Sequence, residues 1–177
     1  MSTNKQLSKL FITFVLSINR LLMILTPHKS QCASQDSQSG ILTSSFAKDY
    51  PLSILIAEDN VINQKLMERI LAKLGYRADI VADGVEVLDS IVRKKYNVIL
   101  MDVRMPEMDG FEATRLIRKM TIEQPYIIAM TANSMLSDKE ECLNIGMNNY
   151  ISKPMSMDEI VRILKIAASS AHIKTEN

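Results

Sequence analysis

Beyond Pro51 the chain alternates short apolar runs with longer stretches whose apolar residues recur at helical spacing. Residues 52–57, 77–81, 98–101, 126–130 and 149–152 are the short runs, and their length and composition predict strands. Between them, residues 63–74 set Leu66, Ile70 and Leu74 on one helical stripe beside Met67 and Leu71. A second helix opens at Asp83-Gly84 and carries Val87, Leu88, Ile91 and Val92; a third follows Asp109-Gly110 and carries Phe111, Leu116 and Ile117. Residues 135–145 form a fourth, and residues 157–168 a fifth with Ile160, Leu164, Ala167 and Ala168 on one face. Gly75 and Gly146 fall where the first and fourth helices stop, Gly75 as a left-handed cap. Asp109 stands where a helix N-cap is needed. Pro51, Pro106, Pro125 and Pro154 all lie at strand boundaries and none inside a strand, as a residue without an N–H requires.

Strand and helix alternate five times, which implies parallel strands joined by right-handed crossovers, with helices on both faces: a doubly wound α/β domain. The run Val98, Ile99, Leu100 and Met101 suits a strand buried on both sides, and Asp102 follows it at the carboxyl edge. Ligands bind at that edge of open α/β sheets, so Asp102 is either a loop carboxylate or a reactive group. Its companions at the same edge are Glu58 and Asp59 after the first strand, Thr131 after the fourth and Lys153 after the fifth. Two unit charges about 4 Å apart interact by roughly 4 kcal/mol at an effective dielectric of 20. Three carboxylates gathered there call for a cation, and an all-oxygen donor set suits Mg²⁺ better than zinc. Lys153 is placed to neutralise one of them. A cis Lys153-Pro154 bond is expected, because a sharp reversal there aims the amine back at Asp102.

Composition narrows the function classes. A formal net charge of +1 gives no electrostatic reason for a nucleic-acid partner. The two cysteines, Cys32 and Cys142, lack C-x-x-C spacing and fit a reducing compartment, so a cytoplasmic location is expected. His28 and His172 have no ligand-spaced neighbours, which argues against a zinc site or a histidine-based triad. Trp is absent and the 12 Met residues serve as core filler beside Ile, Leu and Val.

Residues 1–26 differ from the rest: Lys5 and Lys9 precede apolar residues 10–18, Asn19 and Arg20 interrupt, and residues 21–25 resume the apolar run. A bilayer span takes about 20 predominantly apolar residues, so membrane association, if any, runs through residues 10–25. A signal peptide, an amphipathic helix and the remnant of a longer upstream protein are the other readings of this segment. Residues 27–50 are rich in Ser and Gln and read as a linker, residues 51–170 as the domain, and residues 171–177 as a tail too short for a DNA-binding domain.

Four stretches together carry a family resemblance: Ala57-Glu58-Asp59-Asn60, residues 101–110 with Asp102 and Asp109-Gly110, Met130-Thr131-Ala132, and Tyr150-Ile151-Ser152-Lys153-Pro154. In this order, at the ends of these strands, the sequence resembles the CheY-like receiver domains of two-component response regulators and hybrid histidine kinases. The resemblance covers residues 54 to about 168 and none of the first fifty. It implies a flavodoxin-like (βα)5 fold with strand order 2-1-3-4-5, and a phosphoacceptor role for Asp102 with a histidine kinase or histidine phosphotransfer protein as donor. It implies Mg²⁺ bound by Asp59, Asp102 and the backbone carbonyl of Arg104, with Glu58 acting through water. Lys153 and the Thr131 hydroxyl would contact the phosphoryl oxygens, and Tyr150 would turn when Thr131 moves.

The implied protein is a signalling switch, not an enzyme acting on outside substrates. Two rivals stand beside it. An aspartate-nucleophile phosphohydrolase commonly carries a second acid two residues past the nucleophile, where this chain has Arg104. A phosphorylation-independent pseudo-receiver would lack an acid or the lysine, and none is missing.

Overall fold

In the computed structural model, residues 45–132 and 136–172 are described; the side chains of residues 136–138, 171 and 172 are not. Five parallel strands, β1 (Ile54–Ala57), β2 (Asp79–Val81), β3 (Val98–Asp102), β4 (Tyr126–Thr131) and β5 (Asn149–Ser152), form one sheet in the order β2-β1-β3-β4-β5. They alternate with α1 (Val61–Lys73), α2 (Gly84–Arg93), α3 (Gly110–Lys119), α4 (Leu136–Ile145) and α5 (Met157–His172). This is the doubly wound architecture and strand order expected from the sequence. No helix among the described residues is long and apolar enough to cross a membrane. The apolar run at residues 10–25 lies outside the described residues.

The two-residue period of the strands divides the core. Ile54, Ile56, Val98, Leu100, Ile128 and Met130 face α1 and α5, meeting Met67, Ile70 and Leu71 of the first and Ile160, Ile163 and Leu164 of the second. Leu55, Ala57, Ile99, Met101, Ile127 and Ala129 face the other way, against Val87 and Ile91 of α2, Ala113 and Ile117 of α3 and Cys142 of α4. The continuous apolar reading of β3 is therefore correct, since all five of its residues are buried.

Local chemistry sets the helix ends. Asn60 caps α1 by accepting from the N–H groups of Ile62 and Asn63, so the helix starts two residues earlier than its apolar stripe indicates. Asp83 and Asp109 cap α2 and α3 through the N–H groups of Glu86 and Glu112. Gly75 and Gly146 both take positive φ, at 90° and 109°, a conformation that glycine adopts without steric cost. The stripe of α1 is narrower than its sequence pattern indicates. Met67, Ile70, Leu71 and Leu74 turn inward, whereas Leu66 falls off the stripe toward Ile62 and is exposed, as is Val92 on α2.

Residues 45–49 are helical and pack against the core although their composition continues that of a linker. Phe46 is buried, stacks on Tyr50 with ring centroids 4.9 Å apart, and meets Tyr76 edge-on at 6.1 Å. The Ala47 N–H donates to the Leu74 carbonyl at 3.0 Å, and the Tyr76 hydroxyl donates to the Tyr50 carbonyl at 2.5 Å. Close packing therefore begins ahead of Pro51, at the α1–β2 turn. Truncating a buried phenylalanine costs about 3 kcal/mol or more. Phe46→Ala should accordingly lower the unfolding free energy by about that amount in urea denaturation; an unchanged midpoint would mean the segment contributes no packing.

Candidate phosphoacceptor site

The carboxyl edge of the sheet brings together the residues its strand ends deliver. Glu58 follows β1 and is fully buried, Asp102 ends β3 with its side chain 10% exposed, and Asp59 is exposed beside them. One oxygen from each of the three lies within 4.8 Å of the others. Lys153, one residue past β5, crosses above β4 to reach them: its Nζ donates to Glu58 Oε2 and to Asp102 Oδ2, each at 2.6 Å. The sequence separations are 95 and 51 residues, so only the fold makes this cluster. The Lys153-Pro154 bond is cis, as expected.

Each group is held by its own neighbourhood. Glu58 Oε1 accepts from Asn63 Nδ2 at 2.7 Å, and the Glu58 carbonyl accepts from Gln64 Nε2 at 2.6 Å, so the first turn of α1 fixes this acid. Asp102 Oδ1 accepts from the Arg104 N–H at 3.2 Å. Gly110 lets the start of α3 close on β3: a Cβ there would lie 2.2 Å from the Asp102 carbonyl oxygen. Glu107 takes φ 57°, turning the loop after Pro106 back toward the sheet. Thr131 is buried at the end of β4, and its carbonyl accepts from the Lys153 N–H at 2.8 Å. Thr131 lies within the strand and five residues before α4 begins, so it is not that helix's cap. Tyr150 is half-buried on β5, with the Lys139 amine 4.7 Å from its ring centre. A cleft of about 490 Å³ opens beside Asp102 and is lined also by Arg104, Thr131, Ala132, Cys142 and Lys153.

Burial pushes the Asp102 carboxyl above its ordinary value; Lys153 pulls it back without cancelling the effect, and Glu58 adds to the rise. Burial likewise opposes the Lys153 ammonium, but its two carboxylate partners outweigh that and hold the amine above its ordinary value. The cluster is thus a charged knot in a poorly hydrated place, with more acid than base.

Glu58, Asp59, Asp102, Arg104, Thr131 and Lys153 come together at this edge, while Tyr150 lies on β5 against Lys139. Several residues that shape the site left no separate trace in the sequence. Nothing in the chain singles out Asn63, Gln64 or Lys139 as a site residue. On α1, beside the cluster, Val61, Ile62 and Leu66 are exposed, with Ile62 78% accessible. The signal for that patch was present in the chain, as apolar residues off the buried stripe of an otherwise regular helix.

Residues 54–165 match the response regulator receiver domain family, and the chain belongs to that family. It is a receiver domain of two-component phosphorelay signalling, homologous to the receivers of hybrid histidine kinases. Histidine protein kinase 1 of Candida albicans is 43% identical over 157 residues, covering 82% of this chain and 6% of that protein. The chain therefore spans only a small fraction of the length of such relatives. Among solved structures, the receiver domain of a sensor histidine kinase from Pseudomonas aeruginosa is 45% identical with a TM-score of 0.61, covering 67% of this chain and 98% of that one. It carries a magnesium ion in its active-site cleft. The Saccharomyces cerevisiae receiver domain of Ssk1, solved with the histidine phosphotransfer protein Ypd1, is 27% identical with a TM-score of 0.60, covering 64% of this chain and 86% of that one.

Because burial raises the Asp102 pKa, ionising it costs the folded state more than the unfolded one. That penalty is absent below the ordinary carboxylate range and grows as the pH rises through the folded pKa. Asp102→Asn, studied without divalent metal, should therefore melt higher than the parent at pH 7, and the gap should close as the solution is acidified. A lower melting temperature for the variant at pH 7 would show that the Lys153 attraction exceeds the burial cost.

Proposed function

We propose that Asp102 is the phosphoacceptor of a phosphorelay step. An Asp102 carboxylate oxygen attacks the phosphorus of a phosphohistidine. The new O–P bond forms as the P–N bond breaks, and the freed imidazole takes up a proton. The observation that carries this reading is the convergence of Lys153 Nζ on Glu58 and Asp102, at 2.6 Å each, with Asp59 alongside. Such transfers need little covalent help; positioning and charge neutralisation do most of the work. Lys153 neutralises the acids before transfer and is placed to contact the phosphoryl oxygens after it, as is the Thr131 hydroxyl. A switch of this kind acts on itself and turns over no outside substrate. A cytoplasmic setting fits the cysteine pattern, in which Cys32 and Cys142 lack C-x-x-C spacing.

The donor set fits Mg²⁺: three carboxylates within 4.8 Å supply hard oxygen ligands, and one lysine leaves them short of positive charge. Glu58, Asp59, Asp102 and the backbone carbonyl of Arg104 would hold the ion, which when bound supplies charge neutralisation at the phosphoryl oxygens. The magnesium in the P. aeruginosa receiver supports this assignment.

Phosphoryl oxygens on Asp102 offer Thr131 a charge-assisted hydrogen bond. Its movement toward them makes room beside β4 for Tyr150, and the face of α4, β5 and α5 changes with it. For the donor we favour the face of α1. Val61, Ile62 and Leu66 form an exposed apolar patch next to the acids, suited to a helix of a histidine kinase or histidine phosphotransfer protein. The complex of Ypd1 with the Ssk1 receiver makes a partner of that class reasonable.

Incubation with acetyl phosphate and Mg²⁺ should add one phosphoryl group to the intact mass, and Asp102→Asn should stay unlabelled; equal labelling of that variant would remove the assignment. Thr131→Ala should still label but lose most of the difference in partner affinity between the phosphorylated and free forms, about 1–3 kcal/mol in the parent. Retention of that difference would exclude Thr131 from the switch. Ile62→Asp should label from acetyl phosphate like the parent yet accept phosphate from a phosphohistidine protein about tenfold more slowly. Equal rates with the protein donor would place its docking face elsewhere.

A further inference from the structure

At the opposite end of the sheet, a second cation is held in a different way. Arg118, in the last turn of α3, is half-buried and donates four hydrogen bonds: Nε to the Gly146 carbonyl at 2.8 Å, one terminal nitrogen to Gln124 Oε1 at 2.9 Å and the Pro125 carbonyl at 3.0 Å, and the other to Asn148 Oδ1 at 2.7 Å. All four acceptors are neutral. Burial lowers the guanidinium pKa, yet an arginine starts so high that it stays charged. Partial burial of a cation against carbonyl dipoles alone is a costly way to gain stability. Its geometry suggests what it provides.

The four acceptors lie in two loops. Gln124 and Pro125 lead into β4, and Gly146 and Asn148 lead into β5. Gln124 also donates to the Ile117 and Met120 carbonyls at the end of α3, each at 3.0 Å. Asn148 Oδ1 also accepts from the Ile127 N–H, and the Asn148 N–H donates to the Ile127 carbonyl, both at 2.8 Å. Gly146 is needed where the fork passes, since it takes φ 109° and a Cβ there would meet Arg118 Cγ at 3.1 Å. One planar fork thus sets where β4 and β5 enter the sheet relative to each other.

β5 is an edge strand of four residues whose ladder partner is β4, from Ile128 opposite Asn149 to Thr131 opposite Ser152. With so short a ladder, the position of its first residue determines where its last one emerges. Tyr150 lies within β5 and Lys153 just beyond it. The geometry points to Arg118 as a positioning residue for the phosphorylation site: by fixing the start of β5 against β4, it places the Lys153 amine between Glu58 and Asp102. The carboxylates assigned to the metal follow β1 or end β3, and the fork makes no hydrogen bond to either strand. This inference rests on the phosphoacceptor reading for its kinetic consequence, though not for its structural one.

The test compares the full chain with Arg118→Gln and with Arg118→Lys, which keeps the charge but not the fork. Both variants should lose hydrogen-exchange protection at β5 while β1 and β3 keep theirs. Mg²⁺ affinity by calorimetry should hold or rise, because the acids are remote from the fork and lose only the competing Lys153 ammonium. The rate of labelling by acetyl phosphate should fall by about tenfold in both, since a misplaced lysine no longer meets the phosphoryl group. Full activity in Arg118→Lys would show that charge and not the fork matters, and would overturn the proposal, as would labelling of both variants at the parent rate. A parallel loss of Mg²⁺ affinity and of protection throughout the sheet would reduce Arg118 to a stabilising residue and equally overturn it. If the parent itself fails to label, the phosphoacceptor reading fails, and exchange at β5 alone then decides whether Arg118 positions the strand.

Discussion

A lysine amine reaching two buried carboxylates from across the sheet is the interaction on which the rest of the site depends. Glu58 and Asp102 are buried side by side, and the Glu58 charge adds to the burial that raises the Asp102 carboxyl. Lys153 answers both from a strand two places away from β3. Its reach requires the strand order, the parallel direction and the register of β4 with β5 all to be correct together. A one-residue slip would turn the side chains of β5 to the other face and carry the amine away from the acids.

Much of the surrounding detail serves that requirement. Asn63 and Gln64 hold Glu58 from the first turn of α1, and Gly110 allows α3 to close against the end of β3. At the far end of the sheet, Arg118 ties together the loops that feed β4 and β5. The two cations contrast in a useful way. Arg118 is bound by neutral acceptors that carry no titrating group. Lys153 is bound by two acids, one of which is the group we assign to accept phosphate, so its partners are open to exchange. On the proposed reading, the fixed cation positions the strand and the exchangeable one serves phosphoryl transfer.

The same edge also faces outward. The exposed apolar residues of α1 lie beside the acids, and Thr131 and Tyr150 lead from the site toward β5 and α4. In the function proposed above, entry of a phosphoryl group and its consequence use different surfaces of one small domain. That separation suits a module matched within much longer proteins, such as Hybrid signal transduction histidine kinase B of Dictyostelium discoideum, of which the match covers 6%.

Periodicity, punctuation and strand ends sufficed to read the element order, the parallel sheet and the membership of the acid–lysine cluster. These features are local: buried strands must be apolar throughout, helix ends need Asn, Asp or Gly, and proline is kept out of strands. The four motifs at the strand ends then limited what chemistry the edge could host. What stayed hidden was whatever depends on distances between residues far apart in the chain. Nothing in residues 45–50 distinguished them from the preceding linker, because Phe46 and Tyr50 acquire their meaning only against Tyr76. Leu66 read as core and is exposed, because a stripe inferred from spacing has no partner surface to fix its width. Arg118 drew no reading from the sequence, since its acceptors come from two loops that meet only when the sheet forms. Sequence determined which groups arrive at the edge; tertiary structure decided which of them touch, because burial and charge pairing are properties of the folded arrangement rather than of the residues.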